Sequence, residues 1–248
     1  MPEPRAASVA VVGAGDYIGA AIAETFAAEG YRIYAGRRRG DEFGPLATRI
    51  CAGGGRFEGR SLDARQESQV AEFLAWADSE TPLEAVIFNV GANVNFSFLE
   101  TTERVFRKVW EMACLAGFLT GREAARRLLT HGRGSIFFTG ATASVRGGSG
   151  YAAFAAAKAG LRSVAQSMAR ELGPKNIHVA HLVIDAGVDT AFVRERIVAS
   201  RGAEALAGLP PDTLMRPRSI GQAYLALHRQ TRDAWTFELD LRPFAERW

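Results

Sequence analysis

The sequence predicts an α/β fold, namely a single doubly wound (Rossmann-type) domain over residues 1–248 with a parallel sheet of about seven strands. Strand-like and helix-like segments alternate along the chain, with no linker or repeat between them. This alternation implies parallel strands, right-handed crossovers and helices on both faces of the sheet. The composition, 48% hydrophobic and 23% charged, is that of an ordinary globular domain long enough to bury a large core.

A glycine-rich turn follows the first predicted strand. Small and β-branched apolar residues form that strand, Ser8–Val12, which stops at Gly13 and Gly15. A helical pattern begins at Ile18, and Gly19 stands one residue later than the spacing Gly-x-Gly-x-x-Gly requires. Backbone N–H groups and the helix dipole favour an anion at such a corner, so the turn predicts a dinucleotide-phosphate site. Gly13 would make the tight turn, and Gly19 would let the helix pack close to the strand.

The other elements follow from the spacing of apolar residues. Short apolar runs bounded by turn residues predict further strands at residues 31–35, 56–60, 85–88, 134–138, 178–184 and 235–241. Apolar residues at helical spacing, such as Val70, Phe73 and Leu74, predict further helices at residues 41–52, 66–79, 102–129, 151–172 and 219–228. The remaining long segment, residues 189–215, has a less regular pattern.

Polar groups follow the predicted strands where they end. Besides the glycine turn, Arg37, Asp63, Asn89 and Thr139 all stand just after strands. Ligands of doubly wound sheets bind outside the carboxyl ends of the strands, near the reversal of strand order. We therefore expect these residues to gather at one edge of the sheet and to form a ligand site there.

Five motifs occur in order at matching spacings: Gly13–Gly19, Asp63, Asn89–Ala92, Phe154–Lys158 and Asp185–Thr190. They are similar to the glycine turn, the adenine-holding aspartate, the Asn-Asn-Ala-Gly strand end, the Tyr-x-x-x-Lys helix and the Pro-Gly-x-x-x-Thr segment of one family. With them the chain resembles the short-chain dehydrogenase/reductase family over essentially its whole length. The resemblance implies hydride transfer between a nicotinamide cofactor and a small-molecule substrate.

The resemblance also implies which residues hold the cofactor. Asp63 would hold the adenine, Asn89 would lie beside the ribose, and the segment ending at Thr190 would meet the nicotinamide amide. Tyr17 stands where the family has its middle glycine, and Gly15 is an alternative source of backbone room. The complete set implied is Gly13, Gly15, Tyr17, Ile18, Gly19, Arg37, Asp63, Asn89, Gly91, Lys158, Val188 and Thr190.

The end of the second strand favours NADP(H) over NAD(H). Gly36 occupies the position where NAD-preferring proteins carry an acid for the ribose hydroxyls, and Arg37 follows it. A guanidinium can pair with a 2′-phosphate through two hydrogen bonds. The alternative is that residues 37–39 form a solvated basic turn, and Asp16 in the glycine turn would repel a nearby phosphate.

Three of the four catalytic positions that the resemblance implies hold other residues. The family uses tyrosine as acid or base, lysine to lower its pKa and hold the ribose, serine to orient the substrate, and asparagine to position a water. Lys158 is kept, whereas Phe154, Ala141 and Cys114 stand at the tyrosine, serine and asparagine positions. The usual proton donor is therefore missing.

Neighbouring residues offer replacements. Tyr151 precedes Phe154 by three positions and Lys158 by seven, so all three share a face if the helix extends that far back. Thr142 or Ser144 could bind a substrate through its hydroxyl. The candidate catalytic set is therefore Lys158, Tyr151 and Thr142, with a pocket-lining aromatic without chemical duty as the alternative for Tyr151.

Two functions remain open on these residues. One is an NADP(H)-dependent oxidoreductase with a non-standard proton donor. The other is a catalytically inactive NADP(H)-binding sensor or partner protein that kept the cofactor site and lost the acid. A nucleic-acid-binding function is disfavoured because the net charge is only +3 and the arginines are scattered.

The sequence does not support a disulfide-rich, metal-binding or membrane protein. Cys51 and Cys114 have no spacing typical of a disulfide framework or a zinc site, so we expect no metal. No apolar run reaches the ~20 residues that span a bilayer, and the first residues lack a signal-peptide core, so we expect a cytoplasmic protein without membrane contact. By analogy with the family, residues 102–129 and 151–172 would form a homodimer or homotetramer interface, and residues 189–215 would cover the substrate as an apolar lid.

Overall fold

Seven parallel strands form one sheet within residues 3–246, the part of the chain that the computed structural model describes. The strands are β1 (Ser8–Val12), β2 (Arg32–Arg37), β3 (Arg56–Ser61), β4 (Leu83–Phe88), β5 (Gly134–Thr139), β6 (Ile177–Ile184) and β7 (Glu238–Leu241). Their order in the sheet is β3-β2-β1-β4-β5-β6-β7. The chain thus winds outward from β1 in one direction, returns, and winds outward again from β4. This confirms the predicted doubly wound fold.

Helices connect the strands and cover both faces of the sheet. They are α1 (Ile18–Ala27), α2 (Gly44–Ala52), α3 (Glu67–Ala77), α4 (Glu103–Trp110), α5 (Ala116–His131), α6 (Ala152–Leu172), α7 (Ala191–Arg201), α8 (Ala203–Ala207) and α9 (Pro217–His228). Within the described residues, no helix is both long and apolar enough to cross a membrane.

Two predicted segments differ from the structure. The helix expected at 102–129 is interrupted, because the π-helical turn Glu111–Leu115 separates α4 from α5. A π turn inserts an extra residue into a helix and rotates the side chains beyond it. The less regular segment 189–215 contains two helices, α7 and α8, and the Thr190 hydroxyl caps α7 by accepting a hydrogen bond from the backbone N–H of Val193 at 3.1 Å.

The sheet separates two apolar layers. Val9, Val11 and Ile33 pack on the face covered by α1 and α9, whereas Val86 and Phe88 pack on the opposite face against α3, α5 and α6. All five residues of β1 are buried, as expected for a central parallel strand with helices on both sides. Burial of this strand fixes the position of the glycine turn that follows it.

Candidate cofactor and substrate site

One cavity of about 830 Å³ lies at the carboxyl edge of the sheet, around the ends of β1, β4 and β5. The residues predicted to bind the cofactor all line it: Gly13, Gly15, Tyr17, Ile18, Gly19, Arg37, Asp63, Asn89, Gly91, Lys158, Val188 and Thr190. Tyr151 and Thr142, the other two candidate catalytic residues, line it as well. Residues that are far apart in the sequence therefore share one cavity, because parallel strands bring their carboxyl ends together.

The glycine turn has a shape that side chains would prevent. Gly13 has a φ of 89°, and a Cβ atom there would lie 2.7 Å from the backbone carbon of Asn89. A Cβ atom at Gly19 would lie 2.5 Å from the Cα of Ala14, so glycine allows α1 to start close to β1. Nothing lies within 4 Å of a Cβ atom built at Gly15. The open backbone surface at Gly15 leaves room for a ligand.

A buried hydrogen-bond chain holds this turn against the sheet. The Asn89 side-chain amide donates to the carbonyl oxygen of Gly13 at 3.0 Å and accepts from the Thr139 hydroxyl at 3.0 Å. The Thr139 hydroxyl also lies 2.7 Å from the Tyr224 hydroxyl. Burial raises the pKa of Tyr224, which keeps this phenol neutral. The Asn89 side chain therefore fixes the ends of β1, β4 and β5 relative to one another.

Charged residues gather at the end of the cavity near β2 and β3. The Arg37 guanidinium lies 2.6 Å from an Asp16 carboxylate oxygen and 3.4 Å from one of Glu42, and it stacks over the Phe43 ring at 4.6 Å. Its side chain is only 11% exposed, so it is not part of a solvated basic turn. Arg38 lines the cavity beside it. Asp16, expected to repel a phosphate, forms an ion pair with Arg37.

Asp63 also has a cationic partner. Arg65 donates to both Asp63 carboxylate oxygens, at 2.9 Å for the closest Nε contact, and this hydrogen bonding lowers the pKa of Asp63. The Asp63 backbone N–H donates to the Gln69 side chain at 2.9 Å. Both Asp63 and Arg65 line the cavity, so a planar guanidinium lies beside the predicted adenine site.

Lys158 lines the cavity next to the ends of β4 and β5. Its ammonium group donates to the carbonyl oxygens of Thr139 at 2.7 Å and Val90 at 3.3 Å. Burial lowers the pKa of Lys158 to about 8. The Phe154 ring centroid lies 5.9 Å from the Lys158 nitrogen, and this ring also lines the cavity. The cavity therefore holds an aromatic ring without a hydroxyl at the position where the family resemblance implies a phenol.

The other two substituted positions differ in their exposure to the cavity. Ala141 lines the cavity and presents no hydroxyl. Cys114 lies in the π turn and is buried against α6, where a Cβ atom at Gly160 would be 2.9 Å from its sulfur. Burial raises the pKa of the Cys114 thiol, and its side chain is not among those lining the cavity. Cys114 is thus a neutral packing residue beneath the site.

The two hydroxyls predicted to bind a substrate differ in position. Ser144 is buried outside the cavity lining, and its oxygen accepts from the backbone N–H of Ala141 at 3.1 Å. Thr142 lines the cavity, but its hydroxyl donates to the carboxylate of Asp185. A hydroxyl has one proton to donate, so in this arrangement Thr142 can accept a hydrogen bond from a ligand but has none left to donate.

Two tyrosines that line the cavity form hydrogen bonds with residues 189–215. The Tyr17 hydroxyl accepts from the backbone N–H of Ala191 at 3.1 Å, and the Tyr151 hydroxyl accepts from the Arg196 guanidinium at 2.8 Å. Tyr151 precedes α6 in a non-helical conformation, so the helix does not extend back to it. Phe192 lines the cavity although its side chain is 60% exposed.

Some residues of the site carry no recognisable motif in the sequence. The further polar side chains that line the cavity are Asn93, Arg146 and, at the other end, Arg65. Arg146 lies in the loop after β5, where no motif marks it. Asp185, which stands at the proline position of the Pro-Gly-x-x-x-Thr segment, is a buried carboxylate beneath this loop. Its apolar neighbours Val183 and Ile184 gave no signal for the ion pairs that surround it.

A doubly wound parallel sheet with a glycine turn and a cavity at its carboxyl edge defines the Rossmann-type class. The family model described as short chain dehydrogenase matches residues 7–199. The chain therefore belongs to the short-chain dehydrogenase/reductase family, as its motifs predicted.

Relatives in this family include well-matched structures. The crystal structure of a short-chain dehydrogenase from Rhodopseudomonas palustris is 58% identical, with a TM-score of 0.83, and the match covers 97% of this chain and 100% of that one. The 3-oxoacyl-[acyl-carrier-protein] reductase MabA of Mycobacterium tuberculosis is 30% identical over 188 residues, 75% of this chain and 71% of MabA. An alcohol dehydrogenase from Thermococcus sibiricus, complexed with 5-hydroxy-NADP, is 25% identical with a TM-score of 0.82, covering 97% of this chain and 98% of that one.

Proposed function

We propose that the protein is an NADP(H)-dependent oxidoreductase acting on a small molecule, with a proton donor other than the family's tyrosine. The observation that carries the proposal is the single cavity that brings together the whole predicted cofactor set and Lys158. The Thermococcus sibiricus relative in complex with 5-hydroxy-NADP supports the choice of cofactor class. When bound, NADP(H) supplies or accepts the hydride.

The residues of the cavity fit a dinucleotide. The tight glycine turn and the open surfaces at Gly15 and Gly91 leave space where side chains would block a ligand's approach. The N-terminus of α1 would stabilise the diphosphate through its dipole and free N–H groups. Lys158, held by two carbonyl oxygens, would use its remaining N–H donor on a ribose hydroxyl.

The preference for NADP(H) is supported by the charges near the end of β2. Gly36 provides no acid for the ribose hydroxyls of NAD(H), and both Arg37 and Arg38 line the cavity. Phe43 and Glu42 hold the Arg37 guanidinium in place. A 2′-phosphate would compete with the exposed Asp16 carboxylate for Arg37, and it carries more negative charge.

Tyr151 is the proposed proton donor. Its phenol lines the part of the cavity beyond Lys158 and away from Arg37, which we call the substrate end. The Arg196 guanidinium, 2.8 Å from the Tyr151 hydroxyl, would stabilise the negative charge left after proton transfer. Thr142 would assist by accepting a hydrogen bond from a substrate hydroxyl, because its own proton is donated to Asp185.

The second candidate function is an inactive NADP(H)-binding protein. It is supported by the ring of Phe154 in the cavity, by Ala141 beside it and by the burial of Cys114 away from it. These residues leave the family's usual proton path without a donor. A positioned general acid contributes about 10²–10⁴-fold to rate, so its loss is compatible with a purely binding role.

Two measurements separate the candidates. Fluorescence titration with NADPH and NADH tests the cofactor site, and no binding of either contradicts both functions. Turnover of a panel of carbonyl and enone compounds with NADPH then tests chemistry, with Tyr151→Phe compared with the unaltered protein. We expect Tyr151→Phe to lose about 100-fold or more in turnover. Tight NADPH binding without turnover of any compound would favour the binding protein, and unchanged activity in Tyr151→Phe would exclude Tyr151 as donor.

We further propose that the protein forms a homodimer or homotetramer. Three aromatic side chains on α4 and α5, Phe106, Trp110 and Phe118, are each at least 40% exposed. Exposed aromatic clusters are typical of protein interfaces. Light scattering after size exclusion should give a multiple of the chain mass, and Trp110→Glu should lower it. A monomer at all concentrations tested would refute this assembly.

A further inference from the structure

The substrate end of the cavity, beyond Lys158, has one further cationic lining residue among residues 3–246. This residue is Arg146, whose side chain is half exposed. Its nearest carboxylate oxygen, on Asp185, lies 3.6 Å away, which is beyond hydrogen-bond distance. Within the described chain its guanidinium therefore keeps its N–H donors free for a ligand.

Asp185 has a closer cationic partner than Arg146. Arg242, from the segment after β7, lies 2.8 Å from the other Asp185 oxygen, and the Thr142 hydroxyl donates to the carboxylate as well. Asp185 is 2% exposed, so this closer pair is screened little by solvent. Arg242 also pairs with Asp240, which lies nearer the surface. Asp185 thus has two cationic neighbours, Arg242 at the shorter distance and Arg146, and of these two arginines it is Arg146 that lines the cavity.

Among residues 3–246, no acidic residue lines the cavity beside Arg146. The acidic residues that line the cavity are Asp16 and Asp63, which lie at the opposite end and are paired with Arg37 and Arg65. The other residues lining the substrate end are neutral, and they include Asn93, Met112, Tyr151, Phe154 and Phe192.

A second cation reinforces the field at this end. The Arg196 guanidinium of α7 donates to the Tyr151 hydroxyl at 2.8 Å, whereas the neighbouring Arg194 pairs with Asp189. Several arginines around a concave, partly apolar site raise the local concentration of anions and orient them. The substrate end thus combines apolar walls with the positively charged side chains of Arg146 and Arg196.

We propose that Arg146 binds a carboxylate of the substrate, so that the substrate class is a small carbonyl or hydroxy compound bearing a carboxylate. The planar guanidinium matches a carboxylate through two parallel hydrogen bonds. The apolar part of the substrate packs against Phe154, Met112 and Phe192. This inference rests on the proposed oxidoreductase function, for which it supplies the substrate class.

The test compares acids with their methyl esters. Calorimetric titrations use pyruvate, levulinate and benzoylformate, each against its ester, with and without saturating NADP⁺. We expect at least one acid to bind about tenfold or more tightly than its ester, because hydrogen bonds to a charged acceptor are stronger than those to a neutral one. Arg146→Gln should abolish this preference and leave the affinities for the ester and NADP⁺ within about twofold. Arg126→Gln, an equal change of charge on exposed α5 outside the cavity, should keep it.

Each outcome decides the role of Arg146. Equal binding of acids and esters, no binding of any acid, or a preference that survives Arg146→Gln overturns the proposal. If NADP⁺ binds and esters are reduced with NADPH while acids show no advantage, only the Arg146 role is wrong. If neither NADP⁺ nor NADPH binds, the proposed function fails, and the titrations without cofactor still decide whether Arg146 binds carboxylates.

Discussion

Phe154→Tyr should convert the cavity into a better catalyst of carbonyl reduction. The Phe154 ring lines the cavity, and its centroid lies 5.9 Å from the Lys158 nitrogen. At that separation and an effective dielectric constant of about 20, the ammonium stabilises a phenolate by about 3 kcal/mol. The new phenol would therefore have a lowered pKa. A general acid contributes about 10²–10⁴-fold to rate. Because Ala141 and Cys114 do not supply the substrate-orienting and water-positioning groups of the family, we expect kcat/KM to rise by the lower limit, about 100-fold.

The assay is NADPH consumption at saturating cofactor with a panel of ketones, measured as kcat/KM against pH. Phe244→Tyr adds the same hydroxyl at a largely exposed position outside the cavity and the proposed subunit interface, and it should leave kcat/KM unchanged. Thermal unfolding and NADPH affinity of the Phe154→Tyr variant should match those of the unaltered protein. A folded, NADPH-binding Phe154→Tyr variant whose kcat/KM rises less than threefold would refute the idea that the missing phenol limits chemistry.

Three further changes test the cofactor end, the buried lysine and the glycine turn. Asp16→Asn removes the carboxylate 2.6 Å from Arg37, an exposed ion pair that contributes about 1 kcal/mol. NADPH should therefore bind about fivefold more tightly, and the affinity for NADH should stay unchanged. The Lys158 pKa of about 8 lies below its unfolded value of about 10.4, so the unfolded chain binds more protons between these pH values. The free energy of unfolding should therefore rise from about pH 8 to 10, by up to about 3 kcal/mol relative to Lys158→Met, in urea titrations. Gly19→Ala places a Cβ atom 2.5 Å from the Ala14 Cα and should cost about 1–3 kcal/mol in the same titrations.

A control variant and three contrary outcomes test these predictions. Gly15→Ala meets nothing within 4 Å, so its stability should stay within about 0.5 kcal/mol of the unaltered protein. Equal destabilisation by the two glycine changes would show that close approach of α1 to β1 is not what requires Gly19. Parallel changes in NADPH and NADH affinity in Asp16→Asn would contradict competition for Arg37. An identical pH dependence in Lys158→Met would show that Lys158 does not titrate in this range.

Much of the fold was predictable because it depends on local pattern and on general rules of chain connection. Short apolar runs and amphipathic helices identified the strands and most helices, and right-handed parallel crossovers then leave few ways to order them. The break between α4 and α5 was not predictable, because Glu111–Leu115 has an ordinary helical pattern. Its π turn coincides with the packing of Cys114 against Gly160 of α6, a contact between residues far apart in the sequence.

The cofactor end of the site was predictable for a related reason. Gly13, Asp63 and Asn89 each follow a strand, and the parallel sheet brings those positions to one edge whatever the rest of the chain does. The substrate end follows no such rule. Arg146 and Arg196 lie on irregular or loosely packed segments, and their positions depend on contacts with residues distant in the sequence.

The sequence by itself determined the doubly wound sheet, the glycine turn and the absence of a phenol at Phe154. Each of these depends on a local pattern, a short spacing or the identity of one residue. Only the tertiary structure decided how charges are shared: Arg37 with Asp16, and Asp185 with Arg242 and Thr142 in preference to Arg146. Periodicity records which side of an element is buried, whereas the partner of a charge depends on distances between elements. Those distances exist only once the sheet, its helices and the segment 189–215 have packed together.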